Sequence, residues 1–381
     1  MTPDDKPYVS EPLQPLKARY PTKIYYLSRV FNNTTNSYKF FWFLGLLNLI
    51  KNGAGKIIDF NDILREMVLA AWYPVCFYRL SLGRQDKLQH VVAEIKAASG
   101  LPSRASLKDI RSSLESMTGI QSKLDYFARY VPSRFLVPWF AKEIRNIQVP
   151  GARTREIECR AAQARYTSSA PIYIIEGNSK EKRVRFDESW HAFIYENLGV
   201  VEAFARHHLS LYLQARNPNV PGIVNKLQIP VGRQLTFARK FWLKIRAEFA
   251  ERSIPYLFRD IYADVCLDDA FSIDHFLPWS FVAHDQLWNL TPVDKATNSK
   301  KGDSLPDLDL YLPRLIELHR EAIMTMKSRP KLLEEYLDCF REDVSGLLSL
   351  SKDDFARRYR EVILPQAQIA INQGFEAGWT F

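Results

Sequence analysis

The sequence predicts a mainly α-helical protein with one β-hairpin and one small strand-strand-helix module. Three observations predict it. Apolar residues recur every three or four positions through most of the 381 residues. "PIYIIEGNSKEKRVRF" alternates apolar and polar residues on either side of Gly177-Asn178, the pattern of a hairpin. The stretch "FSIDHFLPWSFVAHDQLWNLTPVDKATNSKKGDSLP", residues 271–306, abandons helical spacing. With 46% hydrophobic residues the chain can bury a sizeable core, and its length suggests two or three structural units.

Taken in order, "MTPDDKPYVSEPLQPLKARYP" holds five prolines and two early aspartates where a secretion signal would carry basic and then apolar residues. A flexible arm over 1–22 is expected, in a chain that is not exported. "FFWFLGLLNLI", 40–50, is shorter than the roughly 20 apolar residues that span a bilayer, so it reads as a buried helix. "FNDILREMVLAAWY" follows, with Asn61 or Asp62 available to cap it. "KLQHVVAEIKAA" and "SLKDIRSSLESM" complete a helical domain over 23–150. Near Pro150 the composition turns basic and irregular, which sets 151–255 apart as a mixed region with the hairpin and two long helices. The strand-strand-helix module then occupies 256–306, and helices such as "YLPRLIELHREAIMTM" fill 307–381.

The formal charge of +9 favours an anionic partner such as nucleic acid, although a mild excess over this length also occurs in proteins that bind none. Cys76, Cys159, Cys266 and Cys339 lie far apart with no C-x-x-C pair. Neither a zinc ribbon nor a disulfide framework is legible, and a reduced cytoplasm fits that usage.

Within 271–306, "AFSIDHFLP" and "LWNLTPV" read as short extended segments. Asp294 can cap a helix "KATNSKK" that Gly302 closes and Pro306 ends. Asn298 then lies about one turn inside that helix, and folding the strands onto it would gather Asp274, His275 and Asn298. These residues resemble the HNH, or ββα-metal, endonuclease family. Asp274-His275 matches the family's opening pair, Pro278 its following proline, Asn289 its central asparagine and Asn298 its last motif position. The wording "DHFLPWSF" through "NSKKGD" is similar to the HNH modules of RNA-guided CRISPR nucleases and of bacterial restriction or anti-phage defence nucleases. Two departures stand out: the last position is Asn rather than His, and the paired zinc cysteines of some members are missing, so flanking helices must brace the module.

Phosphodiester hydrolysis needs an activated water, charge stabilisation at phosphorus and help for an alkoxide leaving group. Asp274 and Asn298 offer oxygen ligands suited to Mg²⁺ or Mn²⁺, with no structural zinc expected. His275, on the opposite side of an extended chain from Asp274, suits the general base, its ordinary pKa of about 6.5 matching neutral conditions. By resemblance, Asn289 fixes the loop between the strands; His284 is read as structural or capping rather than catalytic. Lys300 and Lys301 are candidate phosphate contacts. Arg233, Lys240 and Lys244 either track a DNA backbone or form a solvated helix face. His207-His208 reads as helix surface, and Trp279 and Trp288 as core.

The expectation is therefore a mainly α-helical chain with an HNH module that cuts or nicks DNA. By resemblance its setting is bacterial defence, with protein partners of such a system and no membrane. The alternatives are an RNA nuclease, or a nucleic-acid-binding or partner-recruiting subunit whose module is degenerate.

Overall fold

The computed structural model describes residues 14–117, 119–178, 181–230 and 232–381. The chain divides into two compact units, one ending at Arg216 and the other spanning Asn217–Phe381. Among the described residues no helix is long and apolar enough to cross a membrane.

The first unit is built on the helix Tyr38–Lys51, whose Phe40, Phe41, Trp42, Phe43, Leu44, Leu46 and Leu47 are all buried. An apolar surface on every side demands neighbours on every side. It packs against the helices Phe60–Trp72 and Leu198–Arg216. Gly45 permits the close approach, since a Cβ there would lie 3.0 Å from the Ile63 carbonyl oxygen. The cap of Phe60–Trp72 is Asp59, whose carboxylate accepts from Asn61 N at 2.9 Å. Asn61 and Asp62, the caps expected from sequence, are already inside the helix.

The sequence-predicted hairpin forms as β2 (Tyr173–Glu176) and β3 (Arg183–Phe186), antiparallel, with Tyr173 opposite Phe186. Gly177 opens the turn at φ 96°, where a Cβ would sit 1.9 Å from the Glu181 carbonyl oxygen. An unexpected strand, β1 (Ile57–Asp59), pairs with the other edge of β3, giving the order β1-β3-β2. That pairing runs across the boundary expected near 150. Tyr173 is tied to the helical core as well, accepting from Trp42 Nε1 at 2.9 Å and donating to the Pro132 carbonyl at 2.8 Å.

The expected arm over 1–22 is only partly testable, since 1–13 lie outside the described residues. From Gln14 onward the chain is helical, in Gln14–Arg19 and Pro21–Leu27, rather than a loose arm. The Tyr20 ring meets Phe193 edge-on at 4.9 Å and its hydroxyl donates to Glu196 Oε2 at 2.9 Å, which anchors this segment.

The second unit wraps a two-stranded antiparallel sheet, β4 (Ser272–His275) and β5 (Leu290–Val293), in helices. Trp242, fully buried on the helix Thr236–Glu251, donates to the Leu290 carbonyl at 3.2 Å. Tyr359, on Lys352–Asn372, donates to the Trp288 carbonyl. Behind the motif helix, Leu305 N donates to Glu376 O and Trp379 N to Leu305 O, at 2.8 and 3.0 Å, so the C-terminal residues close the module. Hydrophobic helices thus brace the strands from both sides in sequence.

Candidate active site

Strand β4 alternates, so Ser272 and Asp274 share one face and His275 points to the other. The register places Asp274 opposite Thr291 and His275 opposite Leu290. The helix Lys295–Lys301 follows β5, capped by Asp294, which accepts from Ala296 N at 2.8 Å, and ended by Gly302 at φ 54°. This is the local order expected from the sequence. Asn298 reaches back to β4: its Nδ2 donates to Ser272 Oγ at 3.0 Å and to the Ile273 carbonyl at 3.2 Å. Among the described residues its carbonyl oxygen has no hydrogen-bond partner.

Asp274 is 2% exposed, and burying a carboxylate at that depth requires compensation. Two donors meet its Oδ2: the Tyr262 hydroxyl at 2.9 Å and the Lys301 ammonium at 3.0 Å. Lys301 is 1% exposed and also donates to the His275 carbonyl at 2.7 Å. Lys301, expected as a candidate phosphate contact, is thus buried against Asp274 rather than exposed to solvent. Three residues after Asn298, it lies on the helix face turned toward β4, where burial and the Asp274 carboxylate hold it. Burial and the neighbouring Asp274 carboxylate push the Tyr262 hydroxyl well above its ordinary pKa, keeping it a donor. Asp260 supports this side: it accepts from Tyr262 N and Asp294 N, both at 2.8 Å.

On the other face, His275 is 2% exposed and its Nε2 lies 2.9 Å from Asp285 Oδ1. A carboxylate there assigns the proton to Nε2 and the lone pair to Nδ1. Nδ1 is buried with no hydrogen-bond partner. Burial lowers the pKa of His275, with Asp285 opposing and the exposed Arg233 adding to the lowering, so the neutral imidazole prevails near neutrality. For Asp285 burial acts upward, yet the hydrogen bonds from His275 and from Gln234 N, the latter 2.6 Å, hold its pKa below the ordinary value.

Asn289 is fully buried and clasps Leu277 from both sides, Oδ1 accepting from Leu277 N at 2.8 Å and Nδ2 donating to Leu277 O at 2.9 Å. His284 turns away from this geometry: its Nδ1 accepts from Gln286 N at 3.4 Å and its ring lies 5.2 Å from Trp288. Burial and the nearby His275 bring its pKa down to about 4. Lys300 is exposed, its ammonium 4.5 Å from the Phe381 ring, and Arg233, Lys240 and Lys244 are exposed too. Of these cations, Arg233 is the one whose charge is felt at His275 and Asp285. Trp279 and Trp288 are buried.

Sequence reasoning missed Asp285, Tyr262 and the ion pair of Lys301. A signal existed for the first: Asp285 sits beside His284 in the inter-strand loop and is an acid within reach of a candidate base.

A two-stranded hairpin followed by a helix, with Asp and His on the first strand and Asn on the helix, defines the ββα-metal class of nuclease module. Residues 255–307 match the family model described as HNH endonuclease, and this segment is an HNH endonuclease domain. Such a domain implies a nuclease that hydrolyses phosphodiester bonds in nucleic acid. No curated protein and no solved structure matches the chain.

Proposed function

We propose that the protein is a metal-dependent endonuclease or nickase acting on DNA, with His275 as general base. The observation that carries this is the His275–Asp285 pair: the carboxylate orients the ring and leaves Nδ1 buried, neutral and free to accept a proton from the attacking water. The Asp274 carboxylate and the Asn298 carbonyl oxygen would supply an all-oxygen donor set, with Asn298 held against β4 through Ser272 and the Ile273 carbonyl. The Lys301 ammonium on Asp274 marks a place where the fold already holds positive charge. Among the described residues no group of three or more His, Cys, Asp or Glu could hold a metal. Mg²⁺ or Mn²⁺ would rest on Asp274 and Asn298, supplying charge stabilisation at the phosphate and leaving group. Arg233 and Lys300, both exposed, would orient the phosphate backbone. The resemblance to restriction and anti-phage nucleases supports a role in bacterial defence.

Incubating the purified protein with supercoiled plasmid, linear duplex, single-stranded DNA and RNA, with and without Mg²⁺ or Mn²⁺, tests the proposal. Metal-dependent nicking or linearisation of plasmid is expected. Cleavage of RNA alone would move the assignment to an RNA nuclease, and no cleavage of any substrate would refute catalysis. The Asp274–Lys301 ion pair favours one second reading, a nucleic-acid-binding subunit whose module no longer loads metal. Calorimetric titration with Mn²⁺ separates the two, because only the enzyme reading requires binding that Asp274→Ala abolishes.

A further inference from the structure

The first unit contains a cavity of about 320 Å³ beside the start of the helix Tyr38–Lys51, and its walls are basic. Lys39, Arg134 and Arg153 line it, and among its described lining residues none is acidic. None of the three cations has an ion-pair partner among the described residues. Lys39 is half-buried, and among the described residues its ammonium bonds the Val30 and Asn33 carbonyls, at 3.2 and 3.3 Å. Burial and the nearby Arg134 pull its pKa down to about 8, the mark of two cations held together without a counterion. The N-terminus of the helix Pro150–Ala164 opens on the same space: Pro150, Arg153 and Thr154 line the cavity, and the cap residue Val149 offers no side-chain acceptor. The positive end of the helix dipole adds to the field of the cations. Two tyrosines, Tyr126 and Tyr130, complete the wall, Tyr126 with 42% of its surface exposed.

We propose that this cavity is a binding site for a nucleoside phosphate, either a free nucleotide or the 5′-phosphorylated end of a strand. Three cations and a helix N-terminus are matched to a phosphate that carries more than one negative charge. Tyr126, partly exposed with the Lys87 ammonium 4.0 Å from its ring centre, is an aromatic surface beside them on which a base can stack. The volume falls at the lower end of small-molecule sites and suits a mononucleotide. The site lies in the first unit and does not depend on the nuclease reading of the second.

Isothermal titration of the full chain with AMP, ADP, pyrophosphate, and a short oligonucleotide with and without a 5′-phosphate tests the proposal, in chelator so that the nuclease is silent. Binding of AMP or ADP, weakened at least about tenfold by Arg153→Gln and by Arg134→Gln, is expected. Both variants change partly or fully exposed side chains, and their melting temperatures should match the parent's. Tyr126→Ala should weaken nucleotide binding and leave pyrophosphate binding unchanged, while His275→Ala alters neither. Preference for the 5′-phosphorylated oligonucleotide over free AMP assigns the strand end; the reverse assigns the free nucleotide. The proposal is overturned if no probe binds, if Arg153→Gln and Arg134→Gln bind like the parent, or if pyrophosphate binds as tightly as ADP and Tyr126→Ala has no effect.

Discussion

Asp285 decides which nitrogen of His275 carries the lone pair, and one substitution separates that role from mere proximity. His275→Ala removes the base and should lower single-turnover plasmid nicking by about 10²–10⁴-fold. Asp285→Asn keeps the shape but no longer fixes the tautomer; a loss of at least about tenfold is expected, with Mn²⁺ affinity unchanged. Nicking by Asp285→Asn at the parent's rate would show that the 2.9 Å contact is packing only. Lys301 poses the complementary question, because its ammonium occupies the carboxylate on which a divalent ion would rest. Removing one partner of a buried ion pair costs about 3–5 kcal/mol by leaving the other uncompensated. Lys301→Met should therefore melt earlier than the parent in chelator, yet gain a larger rise in melting temperature from Mn²⁺. An equal rise in both proteins would show that lysine and metal do not compete for Asp274.

Elements are held by a few backbone decisions. The β2–β3 turn depends on Gly177, since φ 96° strains any other residue and a Cβ would overlap the Glu181 carbonyl oxygen. Gly177→Ala should cost more than about 1–3 kcal/mol, the range for backbone strain alone, and lower the melting transition of the unit that carries this sheet. An unchanged transition would mean that the turn relaxes into another geometry. The helix that carries Asn298 and Lys301 has a single turn or two, too short to be stable alone, so its Asp294 cap and its packing on β4 must supply what propagation cannot. Asp294→Ala should destabilise by about 1 kcal/mol, read from denaturant unfolding.

Across the second unit, burial leaves one core histidine, packed on Trp242, with a strong pH signature. His319 is fully buried, bonded through Nδ1 to the Tyr336 hydroxyl at 2.8 Å, and its Nε2 has no partner. Burial brings its pKa down to about 3, against about 6.5 in the unfolded chain. Its neutral form is compatible with the core and its charged form is not, so the stability it supports is complete above pH 6.5. That stability is lost as the pH falls from there toward about 3, because the unfolded chain binds the proton first. His319→Phe should flatten the fall in unfolding free energy over this window by up to about 1.4 kcal/mol per pH unit. An unchanged slope would place the acid sensitivity elsewhere, His284 being the next candidate.

The sequence by itself determined the local order of the module. Alternation around Ile273, the Asp294 cap, Gly302 and the spacing of Asn289 and Asn298 are properties of neighbouring residues, and local sterics and capping act over that range. The same holds for the hairpin at Gly177 and the buried helix from Phe40. What only the tertiary structure decided are the partners. Strand β1 is a short edge that exists because β3 offers free backbone groups to residues far earlier in the chain, a pairing that runs across the boundary expected near 150. The pairing of Lys301 with Asp274 was not legible because a short helix that is polar on nearly every side does not announce which side packs against a strand. Asp285 reached His275, and Tyr262 reached Asp274, through loops whose course is set by the surrounding core rather than by their own residues. Side-chain identity and spacing carry short-range preferences; the contacts that tune the site are long-range, and they exist only once the helices have closed around the hairpin.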